Sequence, residues 1–287
     1  MSAPALPALP FSHWHLAWSL EAAAVLYTGL YVWAAHRVRG RWPLRRTVSW
    51  LAAIACVLLA LQSGLATFDE RLLSAHMVQH MLLMLVAPLL ILASQPVLLT
   101  LRVLPPPRRR ALVKTLDRAR PLTAPALALA CFAAALVLTH LPGFYAAMLR
   151  HSALHAAEHA LYVLAGLLLW WPILDVDPAP RRRLGGLGRL VYVLAAMPPM
   201  ALVGVYLNRA PSLVYPAYGP PAHALGVSAL ADQQRAGAIM WVAGNMLMVA
   251  VGLWVALAAL VAEERLQQAR DARAAAVGAV TDARRLP

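Results

Sequence analysis

The chain has 287 residues, of which 61% are hydrophobic and only 13% charged, a balance that excludes an ordinary soluble domain. Its formal net charge of +13 is that of many nucleic-acid binders, but the basic residues are confined to particular loops, which argues against a nucleic-acid partner. Two cysteines, Cys56 and Cys131, stand singly inside apolar runs without a C-x-x-C and read as small core residues.

Residues 1–15, MSAPALPALPFSHWH, lack the basic start of a signal peptide and read as a short outer segment, not a cleaved leader. Seven apolar runs follow, at roughly 16–36, 47–66, 73–100, 122–141, 152–174, 189–208 and 236–262. A run of about 20 such residues crosses a hydrocarbon core of ~30 Å as a helix. The transmembrane domain therefore occupies 16–262, and 263–287 forms a basic tail. Pro88, Pro96, Pro198 and Pro199 fall within spans and are expected to kink them. The outer segment APSLVYPAYGPP, rich in Pro and Tyr, reads as an ordered cap.

The basic residues orient these spans. Arg37, Arg39, Arg41, Arg45 and Arg46 follow the first, and Arg102, Arg108, Arg109, Arg110, Lys114, Arg118 and Arg120 follow the third. Arg181, Arg182, Arg183 and Arg189 follow the fifth, and Arg265, Arg270, Arg273, Arg284 and Arg285 lie in the tail. The alternate loops hold only Arg71, Arg150, Arg209 and Arg235. By the positive-inside rule the N-terminus is outside and the C-terminus cytoplasmic. The expected fold is thus an all-α polytopic bundle of seven transmembrane helices, with anionic membrane lipid as the partner of its basic face.

With that topology every histidine except His36 falls at or near the outer face. His76 and His80, in HMVQHMLLML, are four apart and share a helix face with Gln79 beside them, while Met77, Met81 and Met84 form a second stripe. His151, His155 and His159 descend the fifth span at the same spacing, with Glu158 and Tyr162 on the same side. Both helices enter from outside, so the stripes lie at matching depths. His140 ends the fourth span on that face, and Asp232 sits just above the seventh.

Imidazole and thioether are good copper ligands, thioether favouring Cu(I), while imidazole with carboxylate also suits zinc or iron. Ionisable residues inside a membrane are expensive and point to function. Methionines, however, often only pack, and isolated interfacial histidines such as His13, His15 and His223 ordinarily meet water. Glu158 could orient a neighbouring histidine, and Glu21, inside the first span, reads equally as a proton-handling or a structural residue.

Other site chemistries fit less well. His155-Ala-Ala-Glu158-His159 matches the H-x-x-E-H of inverted zinc peptidases, but Glu263 and Glu264 stand at the other membrane face and cannot complete that site. Rhodopsin chemistry needs a lysine inside a span, and Lys114, in a cytoplasmic loop, is the only lysine. A bis-histidine haem could use His80 with His155 or His159, though the histidines outnumber what one haem needs. A copper transporter would need polar or soft residues continuing inward, which read as sparse.

HMVQHMLLMLVAPLLILASQPV, HLPGFYAAML before LHAAEHALYVLAGLLLWWPIL, and YPAY with ALADQQRAGAIMW resemble the multi-spanning CtaG family of caa3-type cytochrome c oxidase assembly factors, over roughly residues 70–260. The resemblance implies a non-enzymatic bacterial inner-membrane protein that binds or delivers copper at the periplasmic face. Its partners would be oxidase subunits or a periplasmic copper chaperone, and a homodimer is a further candidate. The family's motif positions fall on His76, Gln79, His80, His140, His155, His159, Asp232 and Gln233, with His151 less securely among them. Thr139 stands where the family often carries Trp before His-Leu-Pro. The expected metal ligands are His76, His80, His155 and His159. His140 and Asp232 would support or extend them, and Met77 and Met81 would relay Cu(I). Copper is expected ahead of zinc or haem.

Overall fold

The computed structural model describes residues 11–38, 42–174 and 184–283, and every regular element among them is helical. Residues 1–10 of the N-terminal segment, with Arg39, Arg41, Arg181, Arg182, Arg183, Arg284 and Arg285 of the basic segments, lie outside the described residues. In chain order the elements used below are α1 (Trp18–Arg37), α2 (Leu44–Phe68), α3 (Leu73–Val103), α4 (Pro106–Ala119), α5 (Pro125–Thr139), α6 (Pro142–Met148), α7 (Ser152–Leu174), α8 (Gly186–Arg209), α9 (Gly219–Ala224) and α10 (Ala229–Asp271).

Helices α2, α3, α7, α8 and α10 are each long and apolar enough to cross a membrane. A sixth span results if α5 is joined to the segment Pro106–Thr123, from which it bends by 68°. That bend follows from Pro125, which keeps Ala124 extended and starts a new helix. α4 buries none of its residues and carries Arg108, Arg109, Arg110, Lys114 and Arg118, as suits a helix lying along a surface. α1, although 20 residues long, is less apolar than these helices because Glu21 and several aromatics dilute its hydropathy.

α1 packs on α2 and on the far end of α3. Tyr31 donates to the Ser94 carbonyl at 2.8 Å, stacks on Trp50 at 4.7 Å, and accepts from the Trp42 indole at 3.1 Å. Arg46 and Arg102 lie over the Trp42 ring. These cations therefore gather at one end of α3, and His76 stands at the other. Glu21 accepts from Gln62 at 2.9 Å, which gives that intrahelical carboxylate a structural partner.

The prolines expected to kink the spans act differently from one another. Pro96 coincides with a break in α3, where Gln95 adopts φ +52°. Pro88 follows a π turn at Leu82–Val86, whose widened pairing suits a residue that offers no N–H. Trp170 donates to the Leu85 carbonyl at 2.9 Å and Cys56 lies 3.6 Å from that of Leu82, so side chains from neighbouring helices take up the loosened backbone. Pro198 and Pro199 lie inside α8 without ending it.

Glycines set the closest helix approaches. A Cβ at Gly166 of α7 would run into the Met84 carbonyl oxygen, and one at Gly237 of α10 into the backbone of α8 at Gly204. Helices without water between them depend on such close packing. Gly166→Ala is expected to cost about 1–3 kcal/mol, the range for overpacking a well-filled core. Thermal unfolding in detergent should show this as a lowered midpoint; an unchanged midpoint would mean that the α3–α7 contact yields without strain.

Candidate metal centre

The polar faces of α3 and α7 meet just inside one end of the bundle. His76 and His80 come from α3, a turn apart, with ring centroids separated by 3.8 Å. His155 and His159 come from α7, with centroids 4.4 Å apart. Across the interface His76 lies 5.5 Å from His155 in near-parallel orientation, and His80 lies 6.1 Å from His159. His140, at the end of α5, approaches His80 at 6.3 Å. Five imidazoles thus converge from three helices.

Two carboxylates complete the group. Glu158 Oε2 is 3.9 Å from His80 Nε2, and Asp69 Oδ2 is 3.7 Å from His155 Nε2. These separations exceed a hydrogen bond. They suit donors around a common ion, since ligands at ~2.0–2.2 Å from a metal stand roughly 3.3–4.3 Å from one another. Asp69 lies in the loop ahead of α3, and burial pushes its carboxyl up to about 7.

Hydrogen bonds set the ring tautomers. His140 Nδ1 must donate to the Leu136 carbonyl at 2.8 Å, which leaves Nε2 with its lone pair. Gln79 donates to the Ala60 carbonyl at 3.0 Å and so turns its oxygen toward His159 Nε2, 3.1 Å away. His159 Nε2 then carries the proton, and Nδ1 holds the lone pair. Such outer contacts orient metal-binding histidines. Both ring nitrogens of His76 and His80, His140 Nε2, His155 Nε2 and Glu158 Oε2 are buried and make no hydrogen bond to protein. An unmatched buried donor or acceptor costs about 1–3 kcal/mol. A concentration of them in one spot is the fit expected of a cation site.

Aromatic residues wall the cluster. Tyr162 meets the His80 ring at 4.3 Å, and its hydroxyl lies 2.5 Å from Thr139 Oγ1, so Thr139 is tied into the wall of the site. Tyr145 faces His76 at 5.3 Å and stacks on Tyr215 at 4.0 Å. Tyr215 donates to the His140 carbonyl at 2.7 Å, and Tyr218 to that of Asp69 at 2.8 Å. The YPAY segment is therefore an ordered cap hydrogen-bonded to the backbone of two site residues.

Three groups of residues singled out in the sequence stand apart from the five imidazoles. His151 precedes α7, is exposed, and does not reach the cluster. Asp232 turns to the start of α3, where it accepts from the Ser74 backbone N–H at 3.1 Å and from the Ser74 hydroxyl. It acts as a capping carboxylate supplied by another helix. Gln233 beside it accepts from Val214 N–H at 2.7 Å and donates to the Ser212 carbonyl at 3.2 Å, fixing the outer loop. Asp232→Ala is therefore expected to lower stability by about 1–2 kcal/mol while leaving metal content intact. Parallel thermal unfolding and metal analysis would check this; lost metal with unchanged stability would return Asp232 to the ligands.

The third group is sulfur. Met77 and Met81 are buried in the core, as are Met84, Met200, Met240 and Met248. A Cβ at Gly244 would meet Met200 Sδ, and Met81 Sδ at 3.1 Å, so these two thioethers share one small-residue gap. Met200 on α8 and Asp69 went unnoticed in the sequence. Asp69 carries one usable signal, its place directly ahead of the helix that bears His76 and His80.

Residues 29–261 match the family described as cytochrome c oxidase caa3 assembly factor. An uncharacterized protein of Mycobacterium bovis is 31% identical over 219 residues, covering 72% of this chain and 33% of the relative. An uncharacterized Mycobacterium tuberculosis protein gives the same values, and one from Mycobacterium leprae is 28% identical over 255 residues, 84% of this chain and 38% of the relative. The chain thus spans about a third of the length of the curated relatives it matches. No solved structure matches it significantly. The chain belongs to the cytochrome c oxidase caa3 assembly factor family.

Proposed function

We propose that this family member binds copper at the outer membrane face and hands it to a caa3-type cytochrome c oxidase during assembly, as a delivery factor and not as an enzyme. The observation that carries the reading is the buried convergence of His76, His80, His140, His155 and His159 with Asp69 and Glu158, whose donor atoms include several without a protein partner. Copper suits this set because imidazole binds it strongly, and Met81 and Met200, whose sulfurs meet beside Gly244, would favour Cu(I). Zinc would also accept these ligands, so the cargo is decided by measurement.

In this reading the chain sits in the bacterial inner membrane with seven passes, counting Trp18–Arg37 as the first, and with its N-terminus outside. A 20-residue helix is about 30 Å long, enough to cross. The basic end of α3 then faces the cytoplasm and anionic lipid, and the histidine end faces the periplasm. The recipient is an oxidase subunit, the donor is a periplasmic copper chaperone, and a homodimer would place two sites side by side.

At the site, Gln79 and the Leu136 carbonyl hold His159 and His140 with lone pairs free for a cation. Tyr145 of α6, with Tyr215 and Tyr218 of the YPAY segment, packs beside the group. The deciding experiment is metal analysis with an absorption spectrum of the purified protein. About one copper per chain without a Soret band is expected. A Soret band would make this a haem protein, and sustained protein-dependent copper uptake into sealed vesicles would make it a transporter.

A further inference from the structure

The candidate donors fall into two sets and not one. Asp69, His76 and His155 offer atoms within 4.8 Å of one another, and so do His76, His80 and Glu158. His76 belongs to both. The remaining members differ in depth: the His155 and Asp69 side chains are 11% and 6% exposed, and those of His80 and Glu158 are 1% and 0%. The second set also lies further along both helices, since His80 follows His76 by one turn of α3 and Glu158 follows His155 by nearly one turn of α7.

We propose that a single copper ion occupies these two positions in succession, entering between Asp69, His76 and His155 and resting between His76, His80 and Glu158. The inference rests on the copper reading above and adds a direction to it. His76 remains a ligand throughout, so the ion exchanges two donors for two others without being released into a low-dielectric interior, where a bare charge is very costly. Asp69 meets the ion first because it sits on the loop, outside α3. Glu158 supplies the matching anionic oxygen inside. No covalent bond is made or broken, and no electron moves. Release to a recipient retraces the same two steps.

A two-step path separates rate from affinity. Removing an entry ligand slows arrival and departure together and leaves the resting state unchanged; removing a resting ligand weakens equilibrium binding. The test uses copper(II) added to the purified full chain in detergent, followed by stopped-flow absorbance and by chelator competition. Asp69→Ala is expected to slow loading and chelator-driven removal by about tenfold or more with less than about threefold change in Kd, whereas His80→Ala and Glu158→Gln weaken Kd by about 10–100-fold. Thermal unfolding of each variant separates these effects from misfolding, and Asp69→Glu, which keeps the carboxylate, should recover much of the rate.

Three results would decide otherwise. Equal losses of affinity in Asp69→Ala and His80→Ala, with unchanged loading rates, would mean one mixed site and overturn the succession. Two coppers bound per chain would overturn it as well, since both positions would then fill at once. A wild-type chain that binds no copper would overturn the copper reading itself, a result distinct from either of these.

Discussion

His76→Ala is expected to weaken copper binding by at least about 100-fold, more than any other single histidine replacement, at the upper end of what losing a site contact costs. The reason is geometric. His76 is the one residue common to both donor sets, it is fully buried, and neither ring nitrogen has a protein partner. Its ring lies 3.8 Å from His80 and 5.5 Å from His155, so no neighbour can take its place without moving a helix. Chelator competition on the purified variant measures the change, and free imidazole in the buffer should restore part of the affinity by filling the space that alanine leaves. His151→Ala, exposed and outside the cluster, is the matched control and should bind as the wild type does. A His76→Ala chain that held copper within about threefold of wild type, a difference of less than 1 kcal/mol, would remove the histidine cluster as the copper site.

The helical stripes of this site were legible in the sequence because their spacing belongs to a single element. His76 with His80, and His155 with His159, each share a face by local geometry, and the ring contacts of His76 with His155 and of His80 with His159 bring the two stripes together. What periodicity cannot see is where a helix stops. His151 continues the α7 stripe in register, but it stands at the very start of the helix, its carbonyl accepting from His155 N–H at 3.1 Å, and its side chain is exposed. Asp232 was ambiguous for a different reason. A carboxylate near the outer surface serves a metal or a helix N-terminus equally well, and only the fold reveals that the start of α3 lies against it. Asp69 and Met200 are non-local in the same sense: each becomes meaningful through a partner on another element. The seven-span pattern met its limit at α1, where Glu21 and the aromatics that anchor the helix to Gln62, Trp42 and Trp50 also lower its hydropathy.

In cells that build a caa3-type oxidase and depend on this chain for it, replacing both His76 and His80 with alanine should lower oxidase activity by about tenfold or more while haem and subunit synthesis continue. The expectation follows from order of assembly. A delivery factor acts on the metal content of its client and not on client synthesis, so the defect should appear as oxidase protein poor in copper. Excess copper in the medium should restore part of the activity, because mass action fills a site that no longer has an assisted route. Both variant side chains lie within the bundle, away from its lipid-facing surface, so docking to the oxidase should survive the substitution. The variant chain, when overproduced, should then compete with the wild type for the oxidase and lower activity further. Full oxidase activity in the double variant would show that the histidine cluster takes no part in assembly. Loss of the oxidase subunits themselves, unrelieved by copper, would assign the chain to folding or stabilising its client instead.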